Sequence, residues 1–152
     1  MTQGNIEFVY TTYIKSTPEK VWQAITTPEF TRQYWVHGNI SDWKKGSEWK
    51  HASADGKVLK IVGKILESDP PKLLVMTWAG ATHPEDESQV ALEITLVEGL
   101  VRLTVVHTKL SADMGRGVSF GWPLVLASMK SFLETGKAID IMAVKGVKSS
   151  CS

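Results

Sequence analysis

The sequence predicts an α+β fold in which about seven antiparallel strands form a sheet that curves around one long C-terminal helix. Two observations indicate this fold. Between residues 36 and 109 most segments alternate apolar and polar residues, as strands do, and turn residues separate them. The segment 121–136 instead carries apolar residues at helical spacing, and its apolar face needs a sheet to cover it. Strands joined by tight turns form an antiparallel meander rather than a parallel sheet with crossovers.

The chain begins with one predicted strand and two predicted short helices. Residues 6–14 are rich in Val, Tyr and Thr, which favour a strand. Thr17-Pro18-Glu19 supplies an N-cap, a proline at the first helical position and an acid near the positive end of a helix. Thr27-Pro28-Glu29 repeats this signal, so a second short helix follows directly. Trp22 lies on the apolar face of the first helix and is expected in the core.

The six remaining strands are bounded by turn signals. Lys44-Lys45-Gly46, Asp55-Gly56 and Glu98-Gly99 predict tight turns. Pro70-Pro71 ends a strand because neither proline can donate a hydrogen bond to a neighbouring strand. The predicted strands cover residues 36–40, 47–54, 58–67, 73–78, 89–97 and 100–109.

The long C-terminal helix is predicted to follow a glycine-containing loop over residues 110–120. Pro123 suits the first position of this helix, and Gly136 suits the residue just past its end. The apolar stripe of the helix consists of Trp122, Val125, Leu126, Met129, Phe132 and Leu133.

Length and composition predict one domain over residues 1–152 and argue against several classes of partner. The chain has 43% hydrophobic and 22% charged residues and a formal net charge of +1. Runs of like charge are short, which argues against binding to nucleic acid. The chain has neither an apolar signal core nor a stretch of the roughly 18 apolar residues that would insert into a membrane. Its single cysteine, Cys151, cannot form an internal disulfide, so we expect a cytoplasmic protein.

Three segments together carry a resemblance to a known family. Residues 16–28 (STPEKVWQAITTP), residues 69–78 (DPPKLLVMTW) and the closing Gly-Trp helix occur in the order found in the START-like (SRPBCC) superfamily. Within it the chain resembles the branch named for the C-terminal domain of the activator of the 90-kDa heat-shock protein ATPase. The resemblance covers residues of about 8–134. It implies a helix-grip fold with a cavity under the long helix, a fold that serves lipid carriers, hormone receptors and aromatase/cyclases alike.

The chain departs from the family pattern at two places. Lys45-Gly46-Ser47 stands where members often have a Gly-Gly turn, and a tail over residues 137–152 extends past the closing helix. The alternatives for this tail are an extra helical turn, a dimer contact or a frayed end, and a homodimer is therefore left open.

The four histidines do not predict a metal or cofactor site. None is spaced from another histidine, the cysteine or an acid as metal ligands are. His107 shares a strand face with Leu103 and Val105, and the family fold turns this face inward. The ring is then either a core histidine or a group that contacts a ligand or transfers a proton. The same alternatives hold for His51, which shares a face with Trp49, but we favour His107 as the main polar contact inside.

Large aromatic and thioether side chains lie on elements that surround the cavity implied by the resemblance. They either pack the core or line a pocket, and Met76 and Met129 would adapt to an irregular apolar ligand. The candidate ligand-binding residues are Trp35, Trp49, His51, Met76, Trp78, His107, Trp122 and Met129.

These residues lead to one preferred function and two alternatives. We expect a closed cavity between residues 118–133 and the sheet that holds a hydrophobic or aromatic small molecule. A cyclase or hydrolase that uses the same cavity is the first alternative, although no serine lies in a nucleophile elbow. A module that interacts with a chaperone is the second, and is ranked last because a single domain leaves no room for a separate chaperone-binding domain. Whether the protein is an enzyme stays open.

Overall fold

The computed structural model describes residues 4–143, and within them seven strands form one antiparallel sheet. The first strand and two short helices come first, six further strands follow, and the long helix closes the fold. The elements are β1 (Ile6–Ile14), α1 (Pro18–Thr26), α2 (Pro28–Trp35), β2 (Gly38–Ile40), β3 (Glu48–Ala52), β4 (Leu59–Asp69), β5 (Leu73–Gly80), β6 (Ser88–Val97), β7 (Leu100–Leu110), α3 (Ala112–Thr135) and a short 3-10 turn (Ile141–Ala143).

The strand order confirms the predicted α+β, helix-grip architecture. The order across the sheet is β1-β7-β6-β5-β4-β3-β2, and every neighbouring pair is antiparallel. Strands β2 to β7 therefore form a meander, and β1 pairs with the last strand rather than with the next one. The curved sheet covers α3 on its inner face, and α1 and α2 lie beside α3.

Local chemistry explains why the elements begin and end where they do. The side-chain oxygen of Thr17 accepts a hydrogen bond from the backbone N–H of Lys20 and so caps α1. Glu98 and Gly99 both have positive φ, 49° and 85°, as a two-residue hairpin turn requires. The predicted strand 36–40 shortens to β2, because Val36 leaves α2 with a φ of 85°.

The predicted start of the long helix is wrong. Residues 110–120 are not a loop, because α3 already begins at Ala112 and Pro123 lies inside it. Ser111 is the N-cap, and its hydroxyl accepts a hydrogen bond from the backbone N–H of Met114. Gly115 and Gly117, which suggested a loop, both lie inside this helix, and Gly115 packs beside the side chain of Ile6 on β1. The predicted end is confirmed, with Gly136 in the left-handed conformation.

The described part of the tail folds back against α3. The hydroxyl of Ser128 donates to the carbonyl of Ile139 and accepts from its N–H. Ile141 is 2% exposed, so this segment contributes to the core rather than fraying. Residues 144–152, including Cys151, lie outside the described residues.

The core lies between the inner face of the sheet and α3. Leu103, Val105, Val125 and Leu126 are all almost fully buried there. Trp22 packs against the edge of this core and is only half-buried. Over residues 4–143, no helix combines the length and apolar character needed to cross a membrane.

Candidate functional site

All eight candidate residues point to the inner side of the sheet and lie close to one another. The alternation of β3, β5 and β7 turns one face of each strand inward, and the stripe on α3 faces it. Each of the eight is no more than 5% exposed. They are Trp35 from α2, Trp49 and His51 from β3, Met76 and Trp78 from β5, His107 from β7, and Trp122 and Met129 from α3.

Trp78 lies at the centre of a cluster of aromatic rings. The centroid of its ring system is 5.3 Å from those of His107 and Trp122, 5.5 Å from that of Trp49 and 5.9 Å from that of Trp35. Trp35 extends the cluster to His51, with ring centroids 4.5 Å apart. Aromatic pairs at such distances and tilted angles attract one another beyond the effect of burial. We call Trp35, Trp49, His51, Trp78, His107 and Trp122 the ring cluster.

Both ring nitrogens of His107 have protein partners. The indole N–H of Trp122 donates to Nδ1 of His107 at 3.0 Å. An indole nitrogen can only donate, so Nδ1 carries no proton and Nε2 carries it. Nε2 then donates to the hydroxyl of Ser88 at 2.7 Å, and this hydroxyl donates to the carbonyl of Trp78. Burial lowers the pKa of His107 to about 3, so its ring is neutral near pH 7.

His51 is held through only one of its nitrogens. Its Nδ1 lies 2.8 Å from the side-chain oxygen of Asn39, and the amide nitrogen of Asn39 donates to the carbonyl of Ile25. That second bond fixes the orientation of the amide, so Nδ1 of His51 is the donor to Asn39. Nε2 is therefore unprotonated, and it has no partner among residues 4–143. Burial, with His37 and Lys60 nearby, lowers the pKa of His51 to about 3.

The side chain of Trp49 on β3 extends across Gly63 on β4 and reaches β5. It is the cross-strand neighbour of Gly63 on β4, and its indole N–H donates to the carbonyl of Thr77 on β5 at 2.8 Å. A Cβ on Gly63 would overlap both this carbonyl oxygen and the indole nitrogen. The absence of a side chain at Gly63 is thus what lets Trp49 lie in the cluster.

The prediction of a large closed cavity is wrong for this conformation. The enclosed space between α3 and the sheet has a volume of about 10 Å³, whereas ligand pockets commonly measure about 300–1,000 Å³. Of the two alternatives for the large aromatic side chains, this conformation shows the first, because they pack the core and fill the space between the two layers. The wall of the small cavity includes Trp35, Met76, Trp122 and Met129, four of the candidate residues.

The larger depressions of the described residues are open and lie on the outside. An open groove of about 730 Å³ crosses the outer face of β3, β4 and β5, where charged residues such as Glu48, Lys50 and Lys64 line it. Over residues 4–143, no three His, Cys, Asp or Glu side chains are grouped as metal ligands would be.

Asn39 and Ser88 belong to the site but are missing from the sequence-based set. Ser88 shares an inward strand face with Val90 and Leu92, so the alternation pattern could have identified it. Asn39 lies directly opposite His51 in the pairing of β2 with β3. A strand of three residues shows no usable periodicity, so this position needed the structure.

Comparison with known proteins gives a family and a set of similar folds. The model of the family "Activator of Hsp90 ATPase homolog 1-like protein" matches residues 15–134. None of the curated proteins matches the chain.

Three solved structures illustrate the similarity. A protein from Mesorhizobium loti has 24% identity and a TM-score of 0.72 over 85% of this chain and 97% of its own. The Aha1 dimer from Colwellia psychrerythraea has 22% identity and a TM-score of 0.71 over 88% and 99%. An Hsp90 activator from Plasmodium falciparum has 24% identity and a TM-score of 0.60 over 70% and 75%. Identities this low establish the shared fold alone. Because the family model matches most of the chain, this protein belongs to the family of activator of Hsp90 ATPase homolog 1-like proteins, a branch of the START-like superfamily.

Proposed function

We propose that this protein binds a small hydrophobic or aromatic molecule in the cytoplasm, between α3 and the inner face of the sheet. The observation that carries the proposal is the pair of unpartnered polar atoms inside the ring cluster. Nε1 of Trp35 and Nε2 of His51 are both buried without a partner among the described residues. Each such group costs about 1–3 kcal/mol of stability. A core selected for stability alone would avoid this cost, whereas a binding site needs unpaired groups for its ligand.

Binding requires the site to expand, because the enclosed cavity of about 10 Å³ is smaller than any organic ligand. Met76 and Met129 form part of its wall, and their unbranched thioether side chains change shape at low cost. We propose that these two side chains and the rings of Trp35 and Trp122 move aside when the ligand enters. The energy of this rearrangement is taken from the binding energy, so we expect modest affinity for poorly fitting ligands.

The geometry gives less support to a cyclase or hydrolase. Both nitrogens of His107 are occupied by Trp122 and Ser88. The pKa values of His51 and His107 are lowered to about 3, far from the value near the working pH that acid–base catalysis favours.

Intrinsic fluorescence tests the binding proposal. Titration with neutral bicyclic aromatics such as 2-methylnaphthalene should quench or shift the tryptophan emission in a saturable way. At 100 times the dissociation constant a ligand adds about 2.7 kcal/mol of stability. This corresponds to a rise of about 5–10 °C in melting temperature for a domain of this size. Trp122→Phe should weaken the fluorescence response, and Trp43→Phe is the control, since Trp43 lies outside the ring cluster beside Trp22. Unchanged emission and melting temperature across a broad panel would contradict the proposal.

A role as a chaperone-interacting module is the second candidate. The name of the matching family favours it, and one structure of similar fold is described as an Hsp90 activator. A filled interior is also compatible with a protein that acts through its surface. Measuring the ATPase rate of a purified 90-kDa chaperone with and without stoichiometric protein decides this candidate: reproducible stimulation would support it, and an unchanged rate would exclude it for that chaperone.

A homodimer is the assembly state that the comparisons favour, because one similar fold was solved as a dimer. Sedimentation equilibrium at micromolar concentration would test this proposal, and a single species at 16.8 kDa would contradict it.

A further inference from the structure

Two buried polar atoms of complementary character lie in adjacent rings of the ring cluster. The indole Nε1 of Trp35 is a donor, and the imidazole Nε2 of His51 is an acceptor, and neither has a partner among residues 4–143. His51 is 0% and Trp35 5% exposed, so the surrounding residues largely exclude bulk solvent. Their ring centroids lie 4.5 Å apart.

The acceptor character of His51 follows from the geometry around it. The hydrogen bond to the carbonyl of Ile25 fixes the orientation of the Asn39 amide. The side-chain oxygen of Asn39 then accepts a hydrogen bond from Nδ1 of His51, which carries the only N–H of the neutral imidazole. The site therefore presents one fixed N–H and one fixed lone pair. Burial lowers the pKa of His51 to about 3, which keeps the lone pair available at neutral pH.

The enclosed space beside Trp35 suits a small polar group attached to an apolar body, and His51 adjoins the wall of this space through its contacts with Trp35 and Asn39. Trp35 and Asn39 both line the cavity of about 10 Å³, which is roughly the space that one water molecule occupies. The rest of its wall is almost entirely apolar and includes Leu92, Leu103 and Val125.

We propose that Trp35 and His51 form a hydroxyl-binding pair that selects ligands with one uncharged O–H group on an apolar body. The oxygen accepts a hydrogen bond from Nε1 of Trp35, and its proton is donated to Nε2 of His51. A carboxylate could not donate to His51, and an ammonium group could not accept from Trp35. The ligand class is thus a neutral phenol or alcohol. This inference rests on the proposed ligand-binding function and specifies the ligand for that site.

Two ligands of nearly the same shape test the pair. 2-Naphthol carries the hydroxyl, and 2-methylnaphthalene replaces it with a methyl group. Dissociation constants for both are measured by tryptophan fluorescence with the wild-type protein, and the ratio between them gives the hydroxyl preference. In His51→Phe this preference should fall about tenfold, because one hydrogen bond at a buried site is lost.

Trp35→Phe provides a second variant, since it removes only the donor while keeping an aromatic ring, and the preference should fall there too. Thr31→Val is the matched control. Thr31 is a fully buried residue on α2 whose hydroxyl bonds the carbonyl of Thr27, outside the cavity wall. Its loss should leave the preference within about twofold of wild type, because no ligand contact changes.

The outcomes separate the two proposals. A preference that falls in both ring variants and persists in Thr31→Val supports the hydroxyl-binding pair. If both ligands bind but the preference is the same in wild type, His51→Phe and Trp35→Phe, the pair is overturned and the binding function stands. If neither ligand binds the wild-type protein, the binding function is overturned and the pair with it.

Discussion

At the scale of single residues, two buried histidines with equal burial have different chemistry because of their neighbours. His107 is bonded on both sides by Trp122 and Ser88, so its ring acts as a structural link between α3 and the sheet. His51 is bonded on one side only and keeps a free lone pair. The sequence predicted that both would lie inside but favoured His107 as the polar contact. Its nearest sequence neighbours did not reveal that an indole from α3 would occupy its Nδ1.

Stability should decrease as the pH falls through the range from about 6.5 to 4. The pKa values of His51 and His107 are about 3 in the folded protein, against 6.5 for an ordinary histidine side chain. Below pH 6.5 the unfolded chain therefore binds protons that the folded protein does not, and stability rises with pH in this window. Each ring should contribute a slope of about 1.4 kcal/mol per pH unit. Urea denaturation at several pH values measures this slope.

Two variants provide the controls for this pH dependence. His107→Phe should lose a large part of the slope, because one of the two fully buried rings is removed. His83→Gln should keep it, since His83 is exposed in the loop between β5 and β6. Asp42, Asp55 and Glu134 have pKa values below their ordinary values of 3.8, 3.8 and 4.5, so the stability they contribute is lost only below about pH 4.5. A stability that stays flat between pH 7 and 4.5 would contradict the buried, neutral state of both rings.

At the scale of elements, hydrogen bonds that link β3, β4 and β5 hold one side of the ring cluster in place. Trp49 crosses Gly63 to reach the carbonyl of Thr77, and the hydroxyl of Thr77 accepts from the backbone N–H of Lys64. Side chain and backbone thus replace part of the regular ladder between β4 and β5. The sequence showed three strands here, but not that a tryptophan would bridge two of them.

Gly63→Ala should destabilise the protein by about 1–3 kcal/mol, the usual cost of overpacking a core. The added methyl group would overlap the carbonyl of Thr77 and the indole of Trp49. Gly80→Ala is the matched control, because a Cβ at Gly80 meets nothing within 4 Å. Thermal or chemical denaturation of the two variants gives the comparison, and equal stabilities would show that Trp49 does not need the space above Gly63.

The order and type of the elements could be predicted because each one carries a local signal. Thr17 and Pro18 mark a helix start, and Glu98-Gly99 marks a hairpin, whatever the rest of the chain does. The start of α3 was missed for the opposite reason. Gly115 and Gly117 are read locally as loop residues, whereas both lie inside α3, which packs against β1.

At the scale of the whole molecule, the fold could be predicted and the volume of the site could not. Eight candidate residues converge as expected, because strand alternation and helix periodicity determine which way side chains point. The space left between them is a small difference between large volumes, and it depends on the rotamers of Trp35, Trp78 and Trp122. Sequence patterns carry no information on these rotamers, so the cavity was expected to be large and is about 10 Å³.

The family also limits the function less than it limits the fold. Membership of the activator of Hsp90 ATPase homolog 1-like family is compatible with a ligand-binding interior and with a surface that contacts a chaperone. The unpaired atoms of Trp35 and His51 favour the interior, because a protein that acted only through its surface would gain nothing from them.

Methyl NMR of the methionines tests the central claim most directly, because it reports where a ligand lies. The chain has five methionines, and Met76 and Met129 line the cavity, whereas Met142 is 44% exposed and Met114 lies near the start of α3. In protein labelled with 13C at these methyl groups, titration with 2-methylnaphthalene should shift the signals of Met76 and Met129 in a saturable way. The signals of Met114 and Met142 should stay in place and serve as internal controls. Unchanged signals from Met76 and Met129 at saturating ligand, or shifts confined to Met114 and Met142, would contradict binding between α3 and the sheet.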